Sequence, residues 1–466
     1  MLQKVIHQLN ENDYSLLSLQ MKESKADKYL SLLTNYRKEK ITDKELIERL
    51  NVNPIAFYTL KSRLSEKIQL FLFKNTVETR IELIQNVAKV EHLVYNTPRE
   101  TSIQILKKLE TDLIKNDMPY ELTTVYKALR KLELYSNKYY DYSRLYNKYV
   151  AYNLAHDKVE DLLSLFCKTL GEYYLSRDEK LLNRLILFKQ ETKNVCRLYK
   201  SHRLKIYQNI LNIHYSLFLS DIIEVDNGVT VEFMLAESKE ILAIYGDDKL
   251  YKHLVLVIDF LYFEYYHQLK LYKNAQIYYD KIVNKTNTLL LLFHSCFASH
   301  FLISKIEYQA KDLEGHSVDN EPNVENIPSF ILFNYYKATI SFNEGRYGEA
   351  IQRLNKILSD ISLKNILFSE VEIKLFLATL YLFNRDKEHA TIILRNIQRK
   401  ITEEEGDKYF CALLFIKLLK SLGKEKGLKK DEKNNLMNRH FMAANSGRYK
   451  ILEFLSLKDE MLAKIK

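Results

Sequence analysis

Few residues in this chain are placed to do covalent chemistry. In LLFHSCFASH, His294 and His300 flank Cys296, and Cys296 and His300 share a helical face at a four-residue spacing. An imidazole and a thiolate could ligate zinc, but a zinc site takes three or four ligands. The pattern therefore reads as helix packing, and no metal is expected. Glu403 to Glu405, followed by Gly406 and Asp407, lacks the ligand spacing of a calcium loop and reads as a solvated helix end. No HExxH, GxSxG, GxGxxG or GxxxxGK[ST] occurs, so metallohydrolase, serine-hydrolase and phosphate-cradling chemistry lack their motifs. Cys167, Cys196, Cys296 and Cys411 stand far apart without CxxC spacing, which fits buried thiols in a reducing compartment. No cofactor is expected, and the chain reads as non-enzymatic.

The elements that would position any site are helical. Of 466 residues, 47% are hydrophobic and 28% charged, enough to bury a substantial core. Only 10 Gly and 5 Pro leave too few turn residues for a β-rich fold. Apolar residues recur at spacings of three and four, as in Ile105, Leu106, Leu109 and Leu113, and in Ile373, Phe376, Leu377, Leu380 and Tyr381. An all-α fold follows. Breaks fall at Asn96 to Pro98, Asn116 to Pro119, Asp226 to Gly228, Gly246 to Asp248 and, longest, residues 311–328, a predicted loop or linker. The amino terminus lacks a secretory pattern, and Asp259, Glu264 and His294 interrupt the most apolar stretches. Neither export nor a membrane span is expected, and the location is expected to be cytoplasmic.

The formal charge of +10 sits at the two ends. Residues 1–80 carry 14 basic and 10 acidic side chains, residues 415–466 carry 13 and 6, and the 334 residues between them sum to −1. A nucleic-acid groove along the whole molecule would need Lys and Arg along its track, so none is expected, while contacts at the ends are permitted. The run Lys424, Lys426, Lys429, Lys430 and Lys433 reads as a solvated loop, with an anionic partner as the alternative. The 34 Tyr and 22 Phe, with no Trp, read as core and groove filling in preference to base-stacking platforms.

Residues 333–358, FNYYKATISFNEGRYGEAIQRLNKIL, resemble a tetratricopeptide repeat, a helical hairpin of roughly 34 residues. Ala338 and Ala350 would be the small residues at the helix crossing, Gly345 the turn, and Tyr347 and Leu354 the groove fillers. Leu377, Ala378, Tyr381, Ala390, Leu394 and Ile397 stand at matching separations in a second copy. A weaker third contains Tyr266, Tyr272, Ala275, Tyr279 and Ile282, with Phe263 at the small-residue position. Leu170, Gly171 and Tyr174 resemble a first helix, and residues 136–150 a second. A further helix pair is expected near 288–312. The resemblance implies an α-solenoid with degenerate repeats over 81–310 and further repeats over 329–466, ending in a basic helical segment.

Residues 1–80 read as a separate helical subdomain. Within it, residues 42–64, ITDKELIERLNVNPIAFYTLKSRL without its first residue, resemble a DNA-binding helix-turn-helix. Thr42 and Glu45 have capping-box spacing, Asn51 can take a left-handed turn, and Asn53 can cap a helix opened by Pro54. Leu46, Leu50, Val52, Phe57 and Leu60 would pack the two helices. Ile47 and Asn51 depart from the family's small and glycine residues. Outward positions would include Asn53, Ile55, Tyr58, Thr59 and Ser62, with Lys61 and Arg63 nearby. The stripe Leu64, Ile68 and Phe71 implies a helix running past 70 and docking on the solenoid, which makes a structural cap the competing reading.

The repeat resemblance implies an interaction scaffold that takes a peptide or partner helix in a concave groove. The groove positions carried over are Glu264, His267 and Gln268; Tyr335, Thr339, Phe342 and Asn343; and Thr379, Leu382 and Phe383. Thr339 and Thr379 replace the asparagines of the carboxylate clamp, so an apolar segment is the expected ligand. The alternative is a transcriptional regulator of a kind known in bacteria, with an amino-terminal DNA-binding motif and a repeat domain as sensor. The Tyr-, Lys- and Asn-rich composition resembles that of an AT-rich bacterial genome. Oligomeric state is not legible.

Overall fold

The computed structural model describes residues 2–219, 229–283 and 323–422, apart from 10, 25, 39–40, 75–78, 246–248, 270 and 403–407, together with 435, 436, 438 and 439. Twenty α-helices and no strand occur among them. No described helix is long and apolar enough to cross a membrane. Several sequence expectations lie outside the described residues: the breaks at 226–228 and 246–248, the 288–312 pair with His294, Cys296 and His300, residues 311–322 of the predicted loop, Glu403 to Asp407, and the basic run 424–433.

Contacts divide the chain into two units, Met1–Tyr149 and Val150–Lys466. The first holds α1 (Leu2–Gln8), α2 (Glu11–Glu23), α3 (Asp27–Lys38), α4 (Asp43–Leu50), α5 (Pro54–Lys74), α6 (Thr79–Ala88), α7 (Val90–Asn96), α8 (Arg99–Lys115), α9 (Pro119–Leu132) and the start of α10 (Lys138–Ser176). One of its cores gathers Leu32, Leu33 and Tyr36 with Leu46, Phe57, Leu64 and Ile68. A second gathers Leu106, Leu113, Val125 and Leu129. Helix α5 does pass residue 70, but Leu64, Ile68 and Phe71 are taken up in the first core, with Leu17 and Met21. The stripe packs its own subdomain.

The second unit continues with α11 (Glu179–Leu198), α12 (His202–Leu219), α13 (Val231–Tyr245), α14 (Lys249–Gln268), α15 (Tyr272–Val283), α16 (Ile327–Asn343), α17 (Tyr347–Asp360), α18 (Leu367–Phe383), α19 (Lys387–Thr402) and α20 (Phe410–Leu422). Asn326 caps α16, its side chain accepting from the Ser329 N–H at 3.4 Å. The core of α16 to α20 includes Leu175 from the end of α10. The last carbonyls of a helix have no partner within it. Here Ser369 Oγ donates to Leu175 O at 2.7 Å and Lys408 Nζ to Ser176 O at 2.9 Å. Two side chains from 190 residues or more away in sequence thus cap α10, and neither could be read locally.

One turn recurs between antiparallel neighbours. Asp117, Gly345 and Arg385 are left-handed, with φ of 49°, 78° and 63°. Each N–H bonds the carbonyl three residues back, at 3.2, 3.0 and 3.1 Å, and the next N–H bonds five residues back, at 3.0, 2.8 and 2.8 Å. This pair of bonds satisfies the end of one helix, and the next begins two residues after the left-handed position, at Pro119, Tyr347 and Lys387. Between α14 and α15, Leu271 N–H to Tyr266 O at 2.9 Å repeats the five-residue bond. Ala338 with Ala350, and Ala378 with Ala390, are fully buried, as are Ala275 and Phe263 of the third hairpin.

The hairpin of α8 and α9 lacks the small-residue mark of the repeats: seven before and five after the left-handed Asp117, where the other two hairpins have alanine, stand Glu110 and Leu122. Conversely, residues 138–150 and the Leu170, Gly171 and Tyr174 set lie on one continuous 39-residue helix, α10. The expected second helix and the expected first helix after it are thus a single helix, with no turn residue between them.

The turn predicts opposite effects at its two repeat positions. A Cβ at Gly345 meets nothing within 4 Å, so Gly345→Ala should lose about 1 kcal/mol from backbone conformation alone. Arg385→Gly removes a side chain from a disfavoured φ and should leave stability equal or raise it by up to about 1 kcal/mol. Denaturant melts of both variants check this.

Candidate functional site

The amino-terminal motif folds as its local chemistry dictates. Thr42 N–H donates to Glu45 Oε2 at 2.8 Å and Glu45 N–H to Thr42 Oγ1 at 3.4 Å, closing a capping box on α4. Asn51 ends α4 at φ 46°, its N–H and that of Val52 bonding Glu48 and Ile47 carbonyls. Asn53 Oδ1 accepts from Ala56 N–H at 2.7 Å and starts α5 at Pro54. Ile47 is accommodated at the edge of the core, partly buried.

A polar node ties these helices to α3. Lys61 Nζ lies 2.6 Å from Asp43 Oδ2, and Tyr36 Oη donates to Asp43 Oδ1 at 2.7 Å. The Lys61 ammonium also sits 5.9 Å from the centre of the Tyr36 ring. Burial pushes the Asp43 carboxyl upward, but bonds from Lys61 and Tyr36 outweigh it and hold its pKa below the ordinary value. Burial, reinforced by Asp43, raises that of the Tyr36 phenol. Lys61 is therefore engaged with Asp43 and Tyr36.

Of the other outward candidates, Tyr58, Thr59, Ser62 and Arg63 are exposed and stand together on α5. With Ile55, 81% exposed, and Glu66 they line an open depression. Asn53 is exposed, but its side-chain oxygen is engaged in the cap. The face offers one guanidinium, a carboxylate, hydroxyls and an apolar centre.

The projected groove positions have a different fate. Tyr335, Thr339, Phe342, Thr379, Leu382 and Glu264 are buried. Thr339 and Thr379 return their hydroxyls to Tyr335 O and Leu375 O, at 3.0 and 2.8 Å. His267 is half-buried beside Phe263, with ring centres 5.9 Å apart, and Gln268 is exposed while donating to Leu217 O at 2.8 Å. Asn343 is exposed, and Phe383 is half-buried against Phe342 and Tyr347. The faces of α16 and α18 projected as groove lining are thus closed, and what stays accessible is the ends of these helices. The sequence carried the signal: FILFNYYKATISF and VEIKLFLATLYLF are apolar around much of the helix, the mark of a buried helix.

Sequence reasoning did not single out Glu370. Its carboxylate is clamped by Lys374 Nζ and Lys400 Nζ, each at 2.6 Å, in a cleft of about 240 Å³ shared with Asn396 and Arg399. Burial works against ionisation, yet the two lysines win and keep its pKa below normal. The clamp joins the first and second helices of one hairpin.

The node on Asp43 separates structure from recognition. Lys61→Met should destabilise the protein by about 1 kcal/mol, read in a thermal melt, whereas Arg63→Met should leave the melt unchanged. An unchanged melt for Lys61→Met would return that lysine to the outward face.

Comparison with protein-family models, curated proteins and solved structures gave no match to this chain.

Proposed function

We propose that this chain is a non-enzymatic, cytoplasmic interaction scaffold whose hairpins stack as an α-solenoid of the tetratricopeptide type. The observation that supports it is the duplication: the alanine pairs at 338/350 and 378/390 and the turns at Gly345 and Arg385 repeat at 40 residues with the same bonds. Repetition of one hairpin is how helical arrays build extended binding surfaces. With the faces of α16 and α18 closed, the surface offered is the rim where these helices end. Exposed Asn343 and the half-buried rings of Phe383 and Tyr347 lie there, suited to an apolar peptide or helix with a polar flank. The thiols of Cys167, Cys196 and Cys411 are in keeping with a reducing cytoplasm.

A second reading, a transcriptional regulator, is favoured by the capped helix-turn-helix with its open α5 face. Base readout there would fall to Arg63, and Tyr58, Thr59 and Ser62 would supply backbone contacts.

Photo-crosslinking from position 343, with a control crosslinker at the exposed position 187, decides between the readings when combined with duplex-DNA binding. The scaffold reading expects a discrete protein adduct from position 343 that Phe383→Ala abolishes. No such adduct, together with salt-sensitive duplex binding lost in Arg63→Glu, would replace it with the regulator.

A further inference from the structure

Outside both surfaces, the first unit carries a ribbon of cations and rings that the core does not need. Between Pro119 and Tyr149 the chain has six basic against three acidic side chains, and eight tyrosines, so the near-neutral middle contains a local basic patch. The three carboxylates do little to cancel it. Glu133 is buried, with Arg99 at 2.6 Å, and Asp141 pairs with Arg144 at 3.6 Å, while Glu121 is half-buried.

Side-chain geometry places the cations beside the rings. Lys127, Arg130 and Lys131 occupy one face of α9 at spacings of three and four. The Arg130 guanidinium lies 5.3 Å from the centre of Tyr146 and 6.0 Å from that of Tyr139. Lys127 sits 5.5 Å from the Tyr146 ring, and Lys131 lies 5.7 Å from Tyr95 on α7. These contacts hold the charges in place before any ligand arrives, which lowers the ordering cost of binding.

Further rings flank this face without serving the fold. Tyr126 and Tyr142 fill the second core, but Tyr135 is 100% exposed, and Tyr120 and Tyr140 are each 75% exposed. Exposed rings beside fixed cations match the two needs of an unpaired strand, a cationic track for phosphates and platforms for bases. A duplex keeps its bases stacked on one another and gives such rings nothing to stack on. An acidic protein would use the lysines and leave the rings idle.

We propose that the surface formed by α7, α9 and the first turns of α10 binds single-stranded nucleic acid. The site is independent of the helix-turn-helix and of the repeat rim.

Fluorescence anisotropy with the full-length protein tests it, using labelled 20-nucleotide oligo-U and oligo-dT, a 20-base-pair duplex, and poly-glutamate as competitor. Either single strand should bind, better than the duplex, with a log–log salt slope of roughly −2 if about three phosphates are neutralised. Lys127→Glu with Lys131→Glu, and separately Tyr135→Ala with Tyr140→Ala, should each weaken binding at least about tenfold, whereas Arg63→Glu should not. The exposed tyrosine pair can be lost without unfolding, and circular dichroism confirms the fold of each variant. The relative affinity of oligo-U and oligo-dT identifies RNA or DNA as the source. Absence of binding by both strands, wild-type binding by both double variants, or displacement by poly-glutamate at equal charge would overturn the assignment.

Discussion

A helix that turns back within three residues must leave its last carbonyls somewhere. In this protein two backbone bonds around one left-handed residue provide the answer, and the hairpins depend on it. At Asp117, Gly345 and Arg385 these two bonds, which end α8, α16 and α18, run from backbone to backbone. That independence explains why residues as unlike as Asp, Gly and Arg occupy the position: the geometry is imposed by packing of the two helices, and glycine merely adopts it at least cost. Ala338, Ala350, Ala378 and Ala390 are fully buried within these hairpins, where a small side chain lets helix axes approach.

Closing hairpins this way has a consequence for recognition. Helices α16 and α18 are buried around most of their circumference, with Asn334, Thr339, Ser341 and Thr379 inside. The buried hydroxyls of Thr339 and Thr379 and the Asn334 amide donate to carbonyls one turn back on their own helix, and Asn334 Oδ1 accepts from Arg353 on α17. Surfaces free to meet a partner lie at helix ends and on outer faces: the α5 face, the rim at Asn343 and Phe383, and the tyrosine-lined flank of α9.

Local chemistry was legible in the sequence where the cause is local. The Thr42 and Glu45 box, the left-handed Asn51, the Asn53 cap and the burial of Ala338 and Ala350 all stand as their residue types imply, as does the helical fold of the described residues. Three kinds of feature were not legible. The end of α10 is capped by Ser369 and Lys408, whose bonds span 194 and 232 residues. The inward turn of Lys61 depends on Tyr36 and Asp43 arriving from other helices. The burial of most projected groove positions has another cause: α16 and α18 are apolar around much of their circumference. The division between Tyr149 and Val150 falls inside a continuous helix, where no turn residue could announce it.

Native-state hydrogen exchange on the full-length protein tests the role of the turn most directly. If the two-bond closure holds each hairpin, the N–H groups of Arg346 and Asp386 should exchange as slowly as the buried mid-helix amides of Ala338 and Ala378, and the two turns should match each other. Exchange at either turn as fast as in an exposed loop, with the helices on both sides still protected, would contradict this account of how the hairpins are held.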